Sequence, residues 1–152
     1  MKEVSLVITS CGRFDLLKKT LDSFFEKNTY PIKKIIITED STEGEKLKKL
    51  LSKYENREFH IIINKERLGQ LKSIDRAYKE VDTEYVFHCE DDWEFLKEGF
   101  IEKSMEILEE DPKILLIGLR DKDDYDGDFF LDEDYVSRKG ERFYEVRNEI
   151  FT

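Results

Sequence analysis

Glu90, Asp91 and Asp92 stand in a row directly after the apolar run Tyr85-Val86-Phe87-His88-Cys89, and Trp93-Glu94-Phe95 follow them. Three adjacent carboxylates repel one another, and a fold tolerates them most readily when a cation shares their charge. Hard divalent cations such as Mg²⁺ and Mn²⁺ take oxygen ligands, commonly one or two carboxylates together with substrate phosphates. The triplet therefore points to a metal–phosphate site at the carboxyl end of a strand. The plainer alternative is an acidic loop that caps the next helix, because Asp and Glu are favoured at helix N-termini. Taken alone, the triplet favours that alternative, and the elements around it reverse the balance.

The chain of 152 residues has the length of one ordinary domain and can bury a real core. Hydrophobic residues make up 39% and charged residues 41%, so the surface is densely charged. A net charge of −10 argues against non-specific binding to nucleic acid or to anionic membranes. A phosphorylated ligand stays open if a metal or a local basic residue offsets the repulsion. No apolar run approaches the length that spans a bilayer. Met1-Lys2-Glu3 leads straight into strand-like sequence, without the pattern of a signal peptide. Cys11 and Cys89 form no disulfide framework. A cytoplasmic, reduced setting is the expectation.

Strand and helix signals alternate. Val4–Ile8 is a short β-rich run. Phe14, Leu16, Leu17, Leu21, Phe24 and Phe25 then recur at helical spacing, up to the break at Tyr30-Pro31. Ile35–Thr38 reads as the second strand and Glu45–Tyr54 as the second helix. Phe59–Ile63 is the third strand, and Ile74, Ala77, Tyr78 and Val81 mark the third helix. Tyr85–Cys89 is the fourth strand, Phe100–Glu109 the fourth helix and Ile114–Ile117 a fifth strand. Short continuous apolar strands separated by helices imply a mainly parallel sheet covered on both faces, a doubly wound α/β domain. Ligands of such sheets sit beyond the carboxyl ends of the strands. The loops Thr9–Arg13, Glu39–Thr42 and Glu90–Phe95 all follow strands and should open on one edge.

Residues 1–119 form the expected core. Residues 120–152 differ: they carry 11 acidic and 6 basic residues, a net of −5. Asp121–Asp128 has no periodicity and lacks the terminal Glu of a calcium-binding EF-hand loop. Phe129–Leu131 and Phe143–Val146 are predicted to form a hairpin around Arg138-Lys139-Gly140.

In combination these segments resemble family 2 glycosyltransferases. Ser5–Arg13 with the helix Leu16–Ser23 is similar to that family's opening strand, its Pro-Thr-Tyr-Asn-Arg loop and its Leu-rich helix. Ile35–Thr42 resembles the second strand and Asp-Asp-Gly-Ser-Thr turn. Asn64–Gln70 resembles the Asn-x-x-Leu-Gly segment, and Glu84–Asp92 the strand that delivers an Asp-x-Asp-type metal motif. The likeness covers roughly residues 4–118, with four motifs in order.

The resemblance implies a GT-A fold, in which a Rossmann-like half binds a nucleotide-diphosphate sugar, a UDP-sugar first, with Mg²⁺ or Mn²⁺. The sugar is then transferred to an acceptor, here unknown. It implies that Thr9, Ser10 and Arg13 line the nucleotide and that Asp40 accepts a hydrogen bond from the base. It further implies that Lys72 lies near the diphosphate, that Asp91 contacts the ribose, and that Glu90 and Asp92 serve the metal. Thr9, Cys11 and Gly12 replace the family's Pro, Tyr and Asn, and the change at Cys11 removes a ring that could stack on the base. The family's acceptor half would follow the fifth strand, and residues 120–152 are too few for it. A truncated or minimal enzyme is therefore expected, with slow transfer or none of its own. Its catalytic base is unassigned, and Glu133 and Asp134 are guesses. A homodimer is one way in which residues 120–152 could complete the site.

Two other functions compete. One is a non-catalytic nucleotide-sugar-binding module that needs a partner chain. The other is a Mg²⁺-dependent receiver-like signalling domain, disfavoured because Asn64 and Gly118-Leu119 stand where that fold wants an Asp and a Lys. Among single residues, Asp40 has a capping alternative, Arg13 and Lys72 have solvated-surface alternatives, and Trp93 reads more readily as core. His88 reads as a structural histidine because nothing completes a zinc set. Cys11 and Cys89 read as plain thiols.

Overall fold

The computed structural model describes residues 1–119, 130–138, 140 and 142–146. It divides into two compact units, Met1–Glu98 and Gly99–Thr152.

In the first unit the elements are β1 (Val4–Ser10), α1 (Phe14–Lys27), β2 (Ile32–Glu39), α2 (Gly44–Leu51), β3 (His60–Ile63), α3 (Gln70–Tyr78) and β4 (Tyr85–Glu90). The strands pair in the order β3-β2-β1-β4, and every pairing is parallel. All seven residues of β1 are buried, as expected of a central strand covered on both faces. Its period-two alternation feeds two cores. Val7 and Ile36 pack with Ala77 of α3, and Ile62 and Val81 join them. On the opposite side Phe24 of α1 packs against Phe87 of β4 in a tilted contact and against Phe95 edge to face, with ring centroids 5.8 and 5.2 Å apart. The buried residues Leu17, Thr20, Leu21 and Phe24 fall at the helical spacing that gives α1 one apolar face. The doubly wound parallel architecture is the one expected.

The chain runs from β1 outward through β2 to β3, then returns to the far side of β1 as β4. Strand order therefore reverses beside β1, and the crevice beyond its carboxyl end is where such sheets bind ligands. Ile8 pairs with Cys89, and Thr9 with Glu90, so the loops after β1 and β4 start side by side.

The second unit contains α4 (Phe100–Glu110) and an antiparallel pair, β5 (Phe130–Val136) and β6 (Arg142–Val146). The expected hairpin is present, with a longer first arm. The expected fifth strand over Ile114–Ile117 is not. That segment is irregular, and Leu115 and Leu116 are 91% and 79% exposed. An apolar run becomes a strand only when a ladder partner and a core receive it, and among the described residues this run has no ladder partner. Asp121–Asp128 lies outside the described residues, and nothing is described of the side chains of Glu133 and Asp134. Among the described residues no helix is long and apolar enough to cross a membrane.

Candidate functional site

The loops that follow β1, β2, β3 and β4 enclose a cleft of about 330 Å³, lined by Thr9, Ser10, Cys11, Arg13, Asp40, Arg67, Gly69, Gln70, Ser73, Glu90 and Asp91. A larger groove of about 420 Å³ runs along the edge strand between Ile61–Ile63 and Arg76, Lys79 and Glu80. It collects none of the strand-end carboxylates, so the smaller cleft is the candidate site.

Two buried acids build the walls. Glu39 is the last residue of β2 and is fully buried. Its Oε1 accepts the backbone N–H groups of Gly12 and Ser41 at 2.9 and 2.8 Å, and its Oε2 accepts the Ser10 hydroxyl at 2.8 Å. One carboxylate thus ties the loop after β1 to the turn after β2. Gly12 sits at φ 73°, the left-handed region that favours glycine, and the turn it permits aims its N–H at Glu39.

Asp40, 4% exposed, ties the third loop. Its Oδ1 accepts from the Asn64 side chain at 2.7 Å and from Leu68 N–H at 2.8 Å, and its Oδ2 accepts from Gly69 N–H at 2.8 Å. Burial pushes the Asp40 carboxyl up. The bonds from Leu68, Asn64 and Gly69, with the nearby charge of Arg67, outweigh that and hold it below the usual carboxylate range. Asn64, itself fully buried, also donates to Ser73 Oγ at 2.9 Å and accepts from Arg76.

The acidic triplet is split by its surroundings. Asp91 is buried, and its carboxylate accepts the Cys11 N–H at 3.3 Å and two donors of Arg13, Nε at 3.4 Å and Nη2. Arg13 Nη1 reaches Asp92 Oδ2 at 2.9 Å. The Asp92 side chain is 37% exposed and that of Arg13 49%. The hydrogen bond to Asp91 is the main influence that raises the Arg13 guanidinium above its ordinary value, and burial opposes it. Glu90 is held separately, by the Gln70 amide.

Six of the expected site residues therefore converge on the cleft: Thr9, Ser10, Arg13, Asp40, Glu90 and Asp91. Asp92 joins them through Arg13. Lys72 does not join; it is exposed on the first turn of α3, and the cations that line the cleft are Arg13 and Arg67. Sequence reasoning missed Glu39, Arg67 and Gln70. Glu39 and Gln70 did leave a signal, a charge closing an apolar strand and a polar residue opening a helix behind a glycine.

His88 hydrogen-bonds through Nδ1 with the Tyr78 hydroxyl at 2.9 Å, and burial lowers its pKa. Trp93 is half-buried, lies 6.1 Å from the Phe95 ring, and its carbonyl accepts the Thr20 hydroxyl. Both have partners within the fold. Cys11 and Cys89 are free, and burial pushes the Cys89 thiol up.

The cleft lining sets Asp40, Glu90 and Asp91 against Arg13 and Arg67, and Asp92 adjoins it through Arg13, a formal excess of negative charge. Among the described residues no three His, Cys, Asp or Glu side chains form a self-contained metal cage. The donor set instead suits a hard cation held partly by protein. Glu90 and Asp92 offer carboxylate oxygens at the cleft, and the remaining positions of Mg²⁺ or Mn²⁺ are ordinarily filled by water and phosphate.

A family model described as Glycosyl transferase family 2 matches residues 5–150. No curated protein sequence matches the chain significantly. Among solved structures, the mannosyltransferase PcManGT from Pyrobaculum calidifontis, in complex with GDP-Man and Mn²⁺, superposes with a TM-score of 0.64 at 17% identity. The match covers 73% of this chain and 33% of that one. Residues 1–349 of S. aureus TarS in complex with UDP-GlcNAc give a TM-score of 0.64 at 14% identity, over 88% of this chain and 39% of that one. The chain thus spans between a third and two fifths of the length of these structures. They share its fold, and the family match sets aside the receiver-like alternative.

Proposed function

Because this chain belongs to glycosyl transferase family 2, we propose that its cleft binds a nucleotide-diphosphate sugar with a divalent cation and directs the sugar to an acceptor. The observation that carries this reading is the charge arrangement of the cleft. Strand-end loops gather at the switch point of a parallel sheet, where nucleotides bind. Yet the acids there outnumber the arginines, so an anionic diphosphate is favoured only when a further cation accompanies it.

In this reading Thr9, Ser10 and Asp91 line the nucleoside, with Asp91 towards the ribose. Asp40 keeps an acceptor position for the base beside the loop it secures, and UDP is the first nucleotide to test. Arg13 and Arg67 attract the phosphates, and Lys72, exposed on the first turn of α3, stays outside the cleft lining. Glu90 and Asp92 hold Mg²⁺ or Mn²⁺. The cation, when bound, offsets charge that builds on the leaving diphosphate. The core is assigned to residues 1–119 and the acidic extension to residues 120–152. The neighbours complexed with GDP-Man and Mn²⁺ and with UDP-GlcNAc support the ligand class.

Calorimetry of UDP, GDP and their sugars with Mn²⁺ and with chelator tests the binding reading. Tighter binding with Mn²⁺ is expected, and equal affinity in both conditions would sink the metal assignment. A turnover assay with glycan and lipid-phosphate acceptors then separates an enzyme from a binding module, since transfer needs donor, acceptor and usually a base in line. Binding without transfer identifies the module.

A further inference from the structure

Arg13 bridges two carboxylates that repel one another. Its side chain contacts Asp91 through Nε and Nη2 and Asp92 through Nη1, so one guanidinium spans adjacent residues of the acidic loop. Asp91 is almost fully buried, with its side chain 2% exposed, and among the described residues it accepts one backbone N–H besides the Arg13 donors. A buried carboxylate needs such a partner, and a planar fork supplies it better than a point charge would.

We infer that Arg13 is the internal counter-ion of the acidic corner: it occupies the position of charge that a divalent cation would take, and it makes metal binding wait for the nucleotide. The inference rests on the reading of the cleft as a metal–nucleotide site, and it describes how that site is regulated. A divalent ion approaching Asp92 alone meets a guanidinium already bonded to that carboxylate, and both are positive. A diphosphate changes the balance, because its negative charge draws Arg13 and the metal together. Arg13 is a positioning residue in this scheme. A merely structural role would make its removal weaken metal binding or leave it unchanged. The counter-ion role requires the opposite sign.

The test is Mn²⁺ binding to the full chain without nucleotide, read from the electron paramagnetic resonance signal of free Mn²⁺, with UDP added in a second arm. Wild type should bind Mn²⁺ alone weakly and bind it more tightly once UDP is present. Arg13→Gln should bind Mn²⁺ alone about tenfold tighter than wild type, the scale expected when a doubled charge loses a like neighbour near a solvated surface. It should also show a smaller gain from UDP. Arg13→Lys keeps the charge without the fork and should fall between the two; it also serves if Arg13→Gln does not fold. Mn²⁺ alone should raise the melting temperature of either folded variant more than that of wild type. If the folded variants bind Mn²⁺ no tighter than wild type, while wild type still binds UDP in a metal-dependent way, the counter-ion role is overturned and the functional reading stands. A wild type that binds UDP equally with and without Mn²⁺ overturns both.

Discussion

The two-loop tie made by Glu39 gives a graded prediction. Glu39→Ala removes three hydrogen bonds that end on a fully buried side chain, from Gly12 N–H, Ser41 N–H and Ser10 Oγ. Gly12 and Ser41 are only partly buried, so water recovers some of that loss. A net of about 1 kcal/mol per bond, together with the cavity left by the side chain, gives about 3–5 kcal/mol. For a domain of this size that corresponds to a fall in melting temperature of about 6–20 °C. Glu39→Gln is the informative partner. Its amide oxygen can still accept both backbone N–H groups, and its amide nitrogen can donate to Ser10 Oγ, because a hydroxyl also accepts. That variant should lose about 1 kcal/mol or less. Urea unfolding followed by circular dichroism measures both, and calorimetry with UDP and Mn²⁺ should show binding weakened in Ala and largely kept in Gln. Equal destabilisation by Ala and Gln would refute the reasoning, because it would make the charge of Glu39, rather than its bonding geometry, the source of stability.

Three further outcomes follow from the same geometry. Asp40→Ala should weaken nucleoside diphosphate binding about ten- to a hundredfold with or without Mn²⁺, the range for one charge-assisted hydrogen bond, and calorimetry showing unchanged affinity would leave Asp40 as a loop tie alone. Asp92→Asn should abolish most of the Mn²⁺ dependence of UDP binding while its unfolding midpoint stays near wild type, since the side chain is 37% exposed. The Asp40 carboxyl is held below its ordinary value of 3.8, so its contribution to stability is present above that pH and is lost as pH falls past it towards the lower folded value; urea midpoints from pH 5 down to pH 3 should decline more steeply in wild type than in Asp40→Asn.

What was legible in the sequence, and what was not, divides along one physical line. β1 and the Ile35–Thr38 part of β2 announced themselves because strands covered on both faces carry continuous apolar runs, β4 did so through the run Tyr85–Cys89 although Val86 is exposed, and α1 through its buried spacing. Ile114–Ile117 carried the same local signal and failed as a strand, because pairing is a property of the partner and not of the run. The strand-end rule points to Asp40 and the acidic triplet, and Asp40, Glu90 and Asp91 line the cleft with Asp92 beside it. It could not show which oxygens were already engaged. The Arg13–Asp91 contact joins residues 78 positions apart, and the Glu39–Gly12 contact joins residues 27 apart. No periodicity reports such pairs. In the linear sequence Glu39 closes an apolar strand and reads as the point where the chain meets solvent. In the fold it is among the most buried side chains of the molecule. A carboxylate is tolerated there because two loops turn their N–H groups inward, and the left-handed Gly12 makes one of those turns feasible. The acids of this cleft therefore fall into two kinds. Glu39 and Asp40 spend their oxygens mainly on shaping loops, whereas among the described residues Glu90 and Asp92 meet side chains that can move aside, the Gln70 amide and Arg13. On the function proposed above, carboxylates of that second kind are the ones that a cation arriving with a diphosphate would recruit without unmaking the fold.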